Sequence, residues 1–406
     1  MSVHTLVVFH LGGVGGPAAS VRPIATWLAE RGTVETIVPQ PGAVADEYAA
    51  LGPVSVARHE SLTFARRPPE AARLARRLAR DVRGFRGAIR RRRPDLVLAI
   101  TTTLPALAVA ARLEGVPVVV YAAEIYDQGW KGSRLPPTAG RLLAELTARS
   151  ADGIVCPSPA VAAQFPRRAG IPVAVAHPPI DGSYAHGDRE RGRERYGVRG
   201  ADPCVAVVGA LSRGRGQDVA LRALRLVRRR LPAARLLLVG APHPRPVDLE
   251  YAAELRALAG ELGVADAVVF AGATASIPDV YASADLVVNP ARVAESFGRV
   301  AAEALVASRP VVASRVGALE EVVRDGVDGV LVDPDDPEAL AAAIVALWED
   351  PGLRERLVTA GREAVAARFT VEANREAWRT VLERVVPGLS TPRGRSRPPG
   401  TSGAGS

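Results

Sequence analysis

Two glutamates, Glu295 and Glu303, lie eight positions apart in the segment Asn289-Pro-Ala-Arg-Val-Ala-Glu-Ser-Phe-Gly-Arg-Val-Ala-Ala-Glu-Ala304. The segment leaves an apolar β-branched run, passes through a loop holding Glu295, and enters a helix after Ser296-Phe297-Gly298 that carries Glu303. A carboxylate in such a loop accepts hydrogen bonds from sugar hydroxyls, and one in the following helix reaches a ribose. Gly298 near the helix start leaves backbone N–H donors for an anion or a hydroxyl. Glutamates at this spacing are commonly two surface residues, and the strand–loop–helix setting singles this pair out.

Two glycine-rich turns offer complementary chemistry. His10-Leu-Gly-Gly-Val-Gly-Gly-Pro17 stands where a first strand turns into a helix, so backbone and helix N–H groups can approach an anion. Gly13, Gly15 and Ala18 fit G-x-G-x-x-A. A dinucleotide site would also place an acid at the end of the second strand, which here runs into Val38-Pro39-Gln40. A phosphate or sugar contact at this turn is the preferred reading, against a turn that serves packing alone. The second turn, Val208-Gly-Ala-Leu-Ser-Arg-Gly-Arg-Gly-Gln-Asp218, sets Arg213 and Arg215 beside glycines. Two guanidiniums there suit a pyrophosphate, the alternative being solvated arginines.

The elements that must position these loops alternate short β-branched runs with Ala/Leu/Arg segments of helical period, the pattern of parallel sheets covered by helices. Strands are expected at Thr5–Leu11, Thr33–Val38, Asp95–Ile100, Pro117–Ala122, Gly153–Cys156 and Val173–Ala176. A second series is expected at Cys204–Val208, Arg235–Val239, Ala267–Phe270, Leu286–Asn289, Pro310–Ser314 and Gly329–Val332. A chain of 406 residues is too long for one core, so two doubly wound domains follow. The expected division is residues 1–180, a linker at 181–202, a second domain at 203–370, a last helix at 371–386 packing back on the first domain, and a disordered tail at 387–406.

Composition bounds the function. Hydrophobic residues at 48% and charged residues at 23% describe a soluble globular enzyme. A formal net charge of +9 favours anionic partners, but Lys131 is the only lysine, and the arginine excess reads as the coding bias of a GC-rich bacterium. Charge without a recognisable module does not make a nucleic-acid binder. Cys156 and Cys204 are too few and too isolated for a disulfide framework or a metal cluster. The apolar run from Thr5 to Leu11 leads into glycines and reads as a strand, not a leader, and no stretch is apolar enough to span a membrane. A cytoplasmic enzyme is expected. Between Pro69 and Arg93, Leu74, Leu78, Val82, Phe85 and Ile89 recur every three or four residues among arginines. This is a core-packed helix with a solvated basic face or an amphipathic helix making peripheral contact with anionic lipid at the inner face of the membrane.

ESFGRVAAEALVASRPVVAS resembles the E-x7-E donor signature of the family-4 retaining glycosyltransferases. PDVYASADLVVNP before it and GALEEVVRDGVDGVLVDPDDPEALAAAI after it fit the same pattern, and His177-Pro-Pro-Ile-Asp181 resembles the family's entry into the second domain. The resemblance implies an α/β protein of GT-B fold, two Rossmann-like domains facing each other across a cleft. It implies a nucleotide-sugar co-substrate, UDP-sugar favoured and GDP-sugar possible, a hydroxyl acceptor, retention of configuration, and neither cofactor nor metal. Carried over by position, Glu303 holds the ribose hydroxyls, Glu295 faces the donor sugar, and Ser296, Phe297 and Gly298 offer backbone contacts. Val300 packs near the nucleoside, Arg215 takes the place of the family's phosphate-binding lysine, and Gly15 and Gly16 approach the diphosphate.

Two departures stand out. Ala210 stands where the family usually has an arginine, so one phosphate contact is missing unless Arg213 substitutes, and Ala123 occupies the position of a common histidine in Tyr121-Ala-Ala-Glu-Ile-Tyr-Asp127. Glu124, Tyr126 and Asp127 are the candidate acceptor contacts. Asp333 and Asp335 spell D-x-D, but Asp336 before Pro337 reads as a helix cap and not a metal site. The departures keep a non-catalytic sugar-nucleotide-binding protein open, and the architecture also admits a nucleotide-sugar 2-epimerase. Oligomeric state has no signature here.

Overall fold

The computed structural model describes residues 2–12, 16–59, 68–126, 137–166, 170–200 and 202–389. Gly15, Asp127 and the chain from 390 onward lie outside the described residues. The first sheet comprises β1 (Val3–Phe9), β2 (Gly32–Val38), β3 (Val54–Val56), β4 (Leu96–Ile100), β5 (Val118–Tyr121), β6 (Gly153–Cys156) and β7 (Val173–Val175), in the order β3-β2-β1-β4-β5-β6-β7. The second comprises β8 (Cys204–Val208), β9 (Arg235–Val239), β10 (Val268–Gly272), β11 (Leu286–Asn289), β12 (Val311–Ser314) and β13 (Val330–Val332), in the order β10-β9-β8-β11-β12-β13. Neighbouring strands are parallel throughout.

Helices cover both faces of each sheet, which is why central strands read as unbroken apolar runs. Every residue of Leu96–Ile100 is buried. β3 has no counterpart among the expected strands: three residues, Val54-Ser55-Val56, at the sheet edge give no periodicity to read.

In both sheets the winding reverses beside the first strand, between β1 and β4 and between β8 and β11. Loops leaving two such strands diverge and open a crevice at their C-terminal ends. The glycine turns after β1 and β8 and the Glu295 loop after β11 leave from these reversals, and the segment after β5 leaves from the strand beside β4.

The segment 181–202, expected as a linker, is built into the second unit. It forms the helix Arg189–Arg195, and Arg191 pairs with Asp279 at 2.7 Å while Arg193 pairs with Asp285 at 2.7 Å. Its polarity suggested a loop because those acids lie some ninety residues away. The helix Val371–Val385 packs on the first sheet: Trp378 stacks on Tyr121 at 5.7 Å, and Val381 lies against Gly153, where a Cβ would come within 2.5 Å of it. Order extends past Pro387, since Leu389 is buried in the same core.

Candidate active site

β8 and β11 are neighbours, with Leu286 opposite Val205, so the loops 209–216 and 290–298 run side by side. The backbone N–H of Arg292 donates to Gly214 at 2.9 Å. Gly216 has φ 66° and a Cβ there would sit 1.9 Å from the Pro290 carbonyl oxygen, so only glycine fits. This close approach brings Arg215 and Glu295, 80 residues apart in sequence, into an ion pair at 2.5 Å. Asn289 Nδ2 donates to the same carboxylate oxygen at 3.0 Å. Glu295 is further tied by its carbonyl, which accepts from Ala318 N at 3.1 Å.

Gly298 takes φ 90°, and a Cβ there would meet Leu319 Cδ2 at 2.6 Å. It starts the helix Arg299–Val306, whose first amides have no acceptor within the helix. Ser296 reaches the cleft, whereas the ring of Phe297 is buried against Phe369 and His177, leaving only its backbone for a ligand. Val300 packs half-buried against the second core.

Glu303 is buried and doubly engaged: the Tyr281 hydroxyl donates to Oε2 at 2.8 Å, and Arg299 lies 3.1 Å from Oε1. Burial and the neighbouring carboxylate push the Tyr281 hydroxyl far above its ordinary range, so it stays a donor. Arg299 escaped the sequence reading, although an arginine four residues before a glutamate on one helix is a readable pair. Its guanidinium also reaches the Pro179 carbonyl at 3.4 Å, and its stem lies across from Gly16, where a Cβ would come 3.4 Å from Arg299 Cδ. The glycine turn of the first sheet thus meets the helix of the second.

Arg215, Glu295 and Ser296 line a cavity of about 220 Å³ whose opposite wall includes Ala123 and Ile125 from the first sheet. The remaining expectations fare differently. Arg213 turns away to Glu254 at 2.6 Å and lies over the Tyr251 ring, so it does not stand in for an arginine at Ala210. Tyr126 is 2% exposed with its ring against Phe165, and burial raises its hydroxyl pKa: it is a core residue and not an acceptor contact. Glu124 accepts from the hydroxyls of Thr101 and Thr102, at 2.9 Å for Thr102, and from the Thr102 and Ala123 amides at 3.2 Å each. Its carboxylate ties the end of β4 to that of β5. Gly15 and Asp127 lie outside the described residues.

Two further features complete the site. Ala210 borders a cavity of about 360 Å³ at the ends of β8, β9 and β10, with Gly209, Gly240, His243, Thr274 and Ile277. Gly209 and Ala210 belong to the second glycine turn, whereas Gly240, His243, Thr274 and Ile277 carried no motif and were not anticipated. The D-x-D acids are engaged structurally: Asp335 pairs with Arg292, Asp333 lies 3.9 Å from Arg315, and Asp336 caps the helix Pro337–Glu349 through Ala339 N at 2.8 Å.

Comparison with known proteins bears on the whole chain. Residues 188–364 match the family described as Glycosyl transferases group 1, and residues 14–184 match Glycosyltransferase Family 4. The D-inositol 3-phosphate glycosyltransferase of Acidothermus cellulolyticus is 42% identical over 48% of this chain and 45% of its own length. The chain therefore aligns with about half the length of such relatives. The GDP-mannose-dependent alpha-(1-6)-phosphatidylinositol monomannoside mannosyltransferase of Mycolicibacterium smegmatis is 31% identical over 78% of this chain and 81% of its own. Among solved structures, Anabaena Alr3699/HepE in complex with UDP and glucose superposes with a TM-score of 0.78 at 24% identity, over 94% of this chain and 99% of that one. Sucrose-phosphate synthase of Thermosynechococcus elongatus superposes equally well, at 23% identity over 94% and 98%. With the fold of these GT-B structures, one family model on each sheet and a relative aligned over four-fifths of its length, the chain belongs to the family-4 glycosyltransferases.

Proposed function

We propose that this chain transfers a sugar from a nucleoside diphosphate donor to a hydroxyl of a glycan, lipid or secondary-metabolite acceptor, with retention of configuration and without a metal. The observation that carries the reading is the Arg215–Glu295 pair lining a cavity whose far wall comes from the other sheet. In this reading Glu303, held by Tyr281 and Arg299, accepts the ribose hydroxyls, and the 360 Å³ cavity takes the base. The diphosphate lies against Arg215 and the helix start at Gly298, with Gly16 opposite. The sugar occupies the space between Glu295, Ser296 and the Ala123–Ile125 wall. As the bond from the anomeric carbon to the diphosphate breaks, negative charge grows on the leaving oxygen, and Arg215 and the helix amides stabilise it. The acceptor hydroxyl attacks from the same face and its proton passes to that oxygen. Closure of the two domains excludes water and limits donor hydrolysis.

Relatives and structural neighbours named for GDP-mannose and UDP make uridine and guanosine diphosphate sugars the donors to test, uridine first. The test is nucleotide release from each donor with a panel of hydroxyl acceptors, repeated with Glu295→Gln. Release that requires acceptor and is lost in the variant supports transfer; release equal in both proteins overturns the assignment of Glu295. A second reading, donor binding without turnover, is favoured by Ala210 and by the engagement of Arg213 with Glu254. It predicts tight nucleotide binding and no release with any acceptor.

A further inference from the structure

A second basic cavity lies on the first sheet, at the C-terminal ends of β2 and β3. Its volume is about 780 Å³, and its walls include Gln40, Val56, Arg58, His59 and Arg80. This is the ligand-binding edge of an open parallel sheet, the same edge that carries the glycine turn after β1. Among the described residues no carboxylate lines the cavity. Arg58 is exposed and makes no ion pair among the described residues, and the carboxylate contact of Arg80, to Asp81, is long at 3.4 Å. His59 is buried, with Nδ1 2.7 Å from the Ala57 carbonyl oxygen and Nε2 2.7 Å from that of Phe9.

The positive surface continues beyond the rim. On the helix Pro68–Arg92, Arg73, Arg76, Arg80 and Arg83 are exposed at spacings of three and four residues, which places them on one face. The one carboxylate among that helix's described side chains, Asp81, is buried. Guanidiniums around a cavity with no carboxylate among its described lining residues suit a phosphate, and an arginine face beside it raises the local concentration of anions.

We propose that this cavity holds a phosphate group of the acceptor; the acceptor role rests on the transferase reading above. Its position also sets the acceptor's size. From β2 to β5 the order β2-β1-β4-β5 spans three strand spacings, about 14 Å. The cavity of Glu295 begins at Ala123 and Ile125, just past β5. A phosphate at Arg58 and a hydroxyl reacting beside Glu295 are thus further apart than in a monosaccharide phosphate. The acceptor carries its phosphate at least one sugar unit away from the reacting hydroxyl, on a soluble glycan or on a lipid.

The test is calorimetric titration with phenyl phosphate in an Arg215→Gln background, which removes the donor-side guanidinium, with and without Arg58→Gln and Arg80→Gln. The expected result is an affinity lower by about tenfold or more when both cavity arginines are replaced. Phenyl phosphate binding that ignores the two substitutions, or is absent before them, overturns the proposal. Nucleoside diphosphate binding, measured on the wild type and on the Arg58→Gln/Arg80→Gln protein, stays unchanged if the two sites are separate. Should the wild type bind no nucleotide, the transferase reading fails while the phosphate site stands on its own titration. Sedimentation with phosphatidylcholine vesicles, with and without phosphatidylinositol, identifies the source. Vesicle binding that needs both phosphatidylinositol and the two arginines assigns a lipid acceptor; phenyl phosphate binding without vesicle binding assigns a soluble one.

Discussion

The two sheets reverse their winding in the same way, yet the loops that leave the reversals are braced by different chemistry. Beside β8 and β11, charge does the bracing: Arg215 pairs with Glu295, and Arg292 crosses between Asp218 and Asp335. Beside β1 and β4 the bracing is largely neutral, with Thr101 and Thr102 donating to the single carboxylate of Glu124 and His10 Nδ1 lying 3.1 Å from the Ile100 carbonyl oxygen. Fixed guanidiniums and helix amides preorganise a site for a diphosphate, whose charge is the same whatever sugar it carries. A braced loop without free charge holds its shape and leaves recognition to neighbouring surfaces. On the proposed function, this difference puts donor chemistry on the second sheet and acceptor recognition on the first.

Substitutions on the two sides should therefore separate. Arg215→Gln is expected to lower kcat by about 10²–10³-fold, the cost of removing one preorganised contact to developing charge. Steady-state rates at saturating donor, with a melting curve to show the fold is kept, measure it. Thr102→Val, at the equivalent place on the first sheet, should lower stability by about 1–2 kcal/mol and leave kcat within a few-fold, because it removes a hydrogen bond to the half-buried Glu124 carboxylate. Equal losses of rate from the two variants would dissolve the contrast.

Gly298→Ala tests the second sheet's geometry rather than its charge. The added Cβ meets Leu319 and the residue must keep φ 90°, so a loss of about 1–3 kcal/mol in stability is expected from thermal or denaturant melts. The smallest effect concerns the docked helix Arg189–Arg195. Hydrogen bonds from Arg191 hold the Asp279 carboxyl well below the usual carboxylate range, against the effect of its burial. A depressed folded-state pKa stabilises fully above the unfolded value of about 3.9 and is lost as pH falls toward the folded one. Melting temperature should fall as the pH is lowered from 5 toward 3, and Arg191→Gln should fall less over the same window.

How much of this was legible in the sequence follows from where the information lies. Buried parallel strands announce themselves as short β-branched runs, so Cys204–Val208, Leu286–Asn289 and Gly153–Cys156 were readable to the residue. The Glu295 loop was readable because its glycines and acid sit in one continuous segment. What stayed hidden depends on partners distant in sequence. Nothing local says that Arg213 finds Glu254 while its neighbour Arg215 finds Glu295, or that the arginines of Arg189–Arg195 find Asp279 and Asp285. Tyr126 was equally opaque, since a tyrosine in a polar segment gives no sign that its ring will be buried against Phe165.

Glu303 offers the most direct test, because it is buried, is held by Tyr281 and Arg299, and has no assigned task except the ribose. Calorimetric titration of the wild type and of Glu303→Ala with UDP, GDP and ADP should show one nucleotide bound selectively, with affinity reduced about ten- to a hundredfold in the variant. Equal affinity in the two proteins, or no nucleotide bound by the wild type, would contradict the placement of the donor on the second sheet.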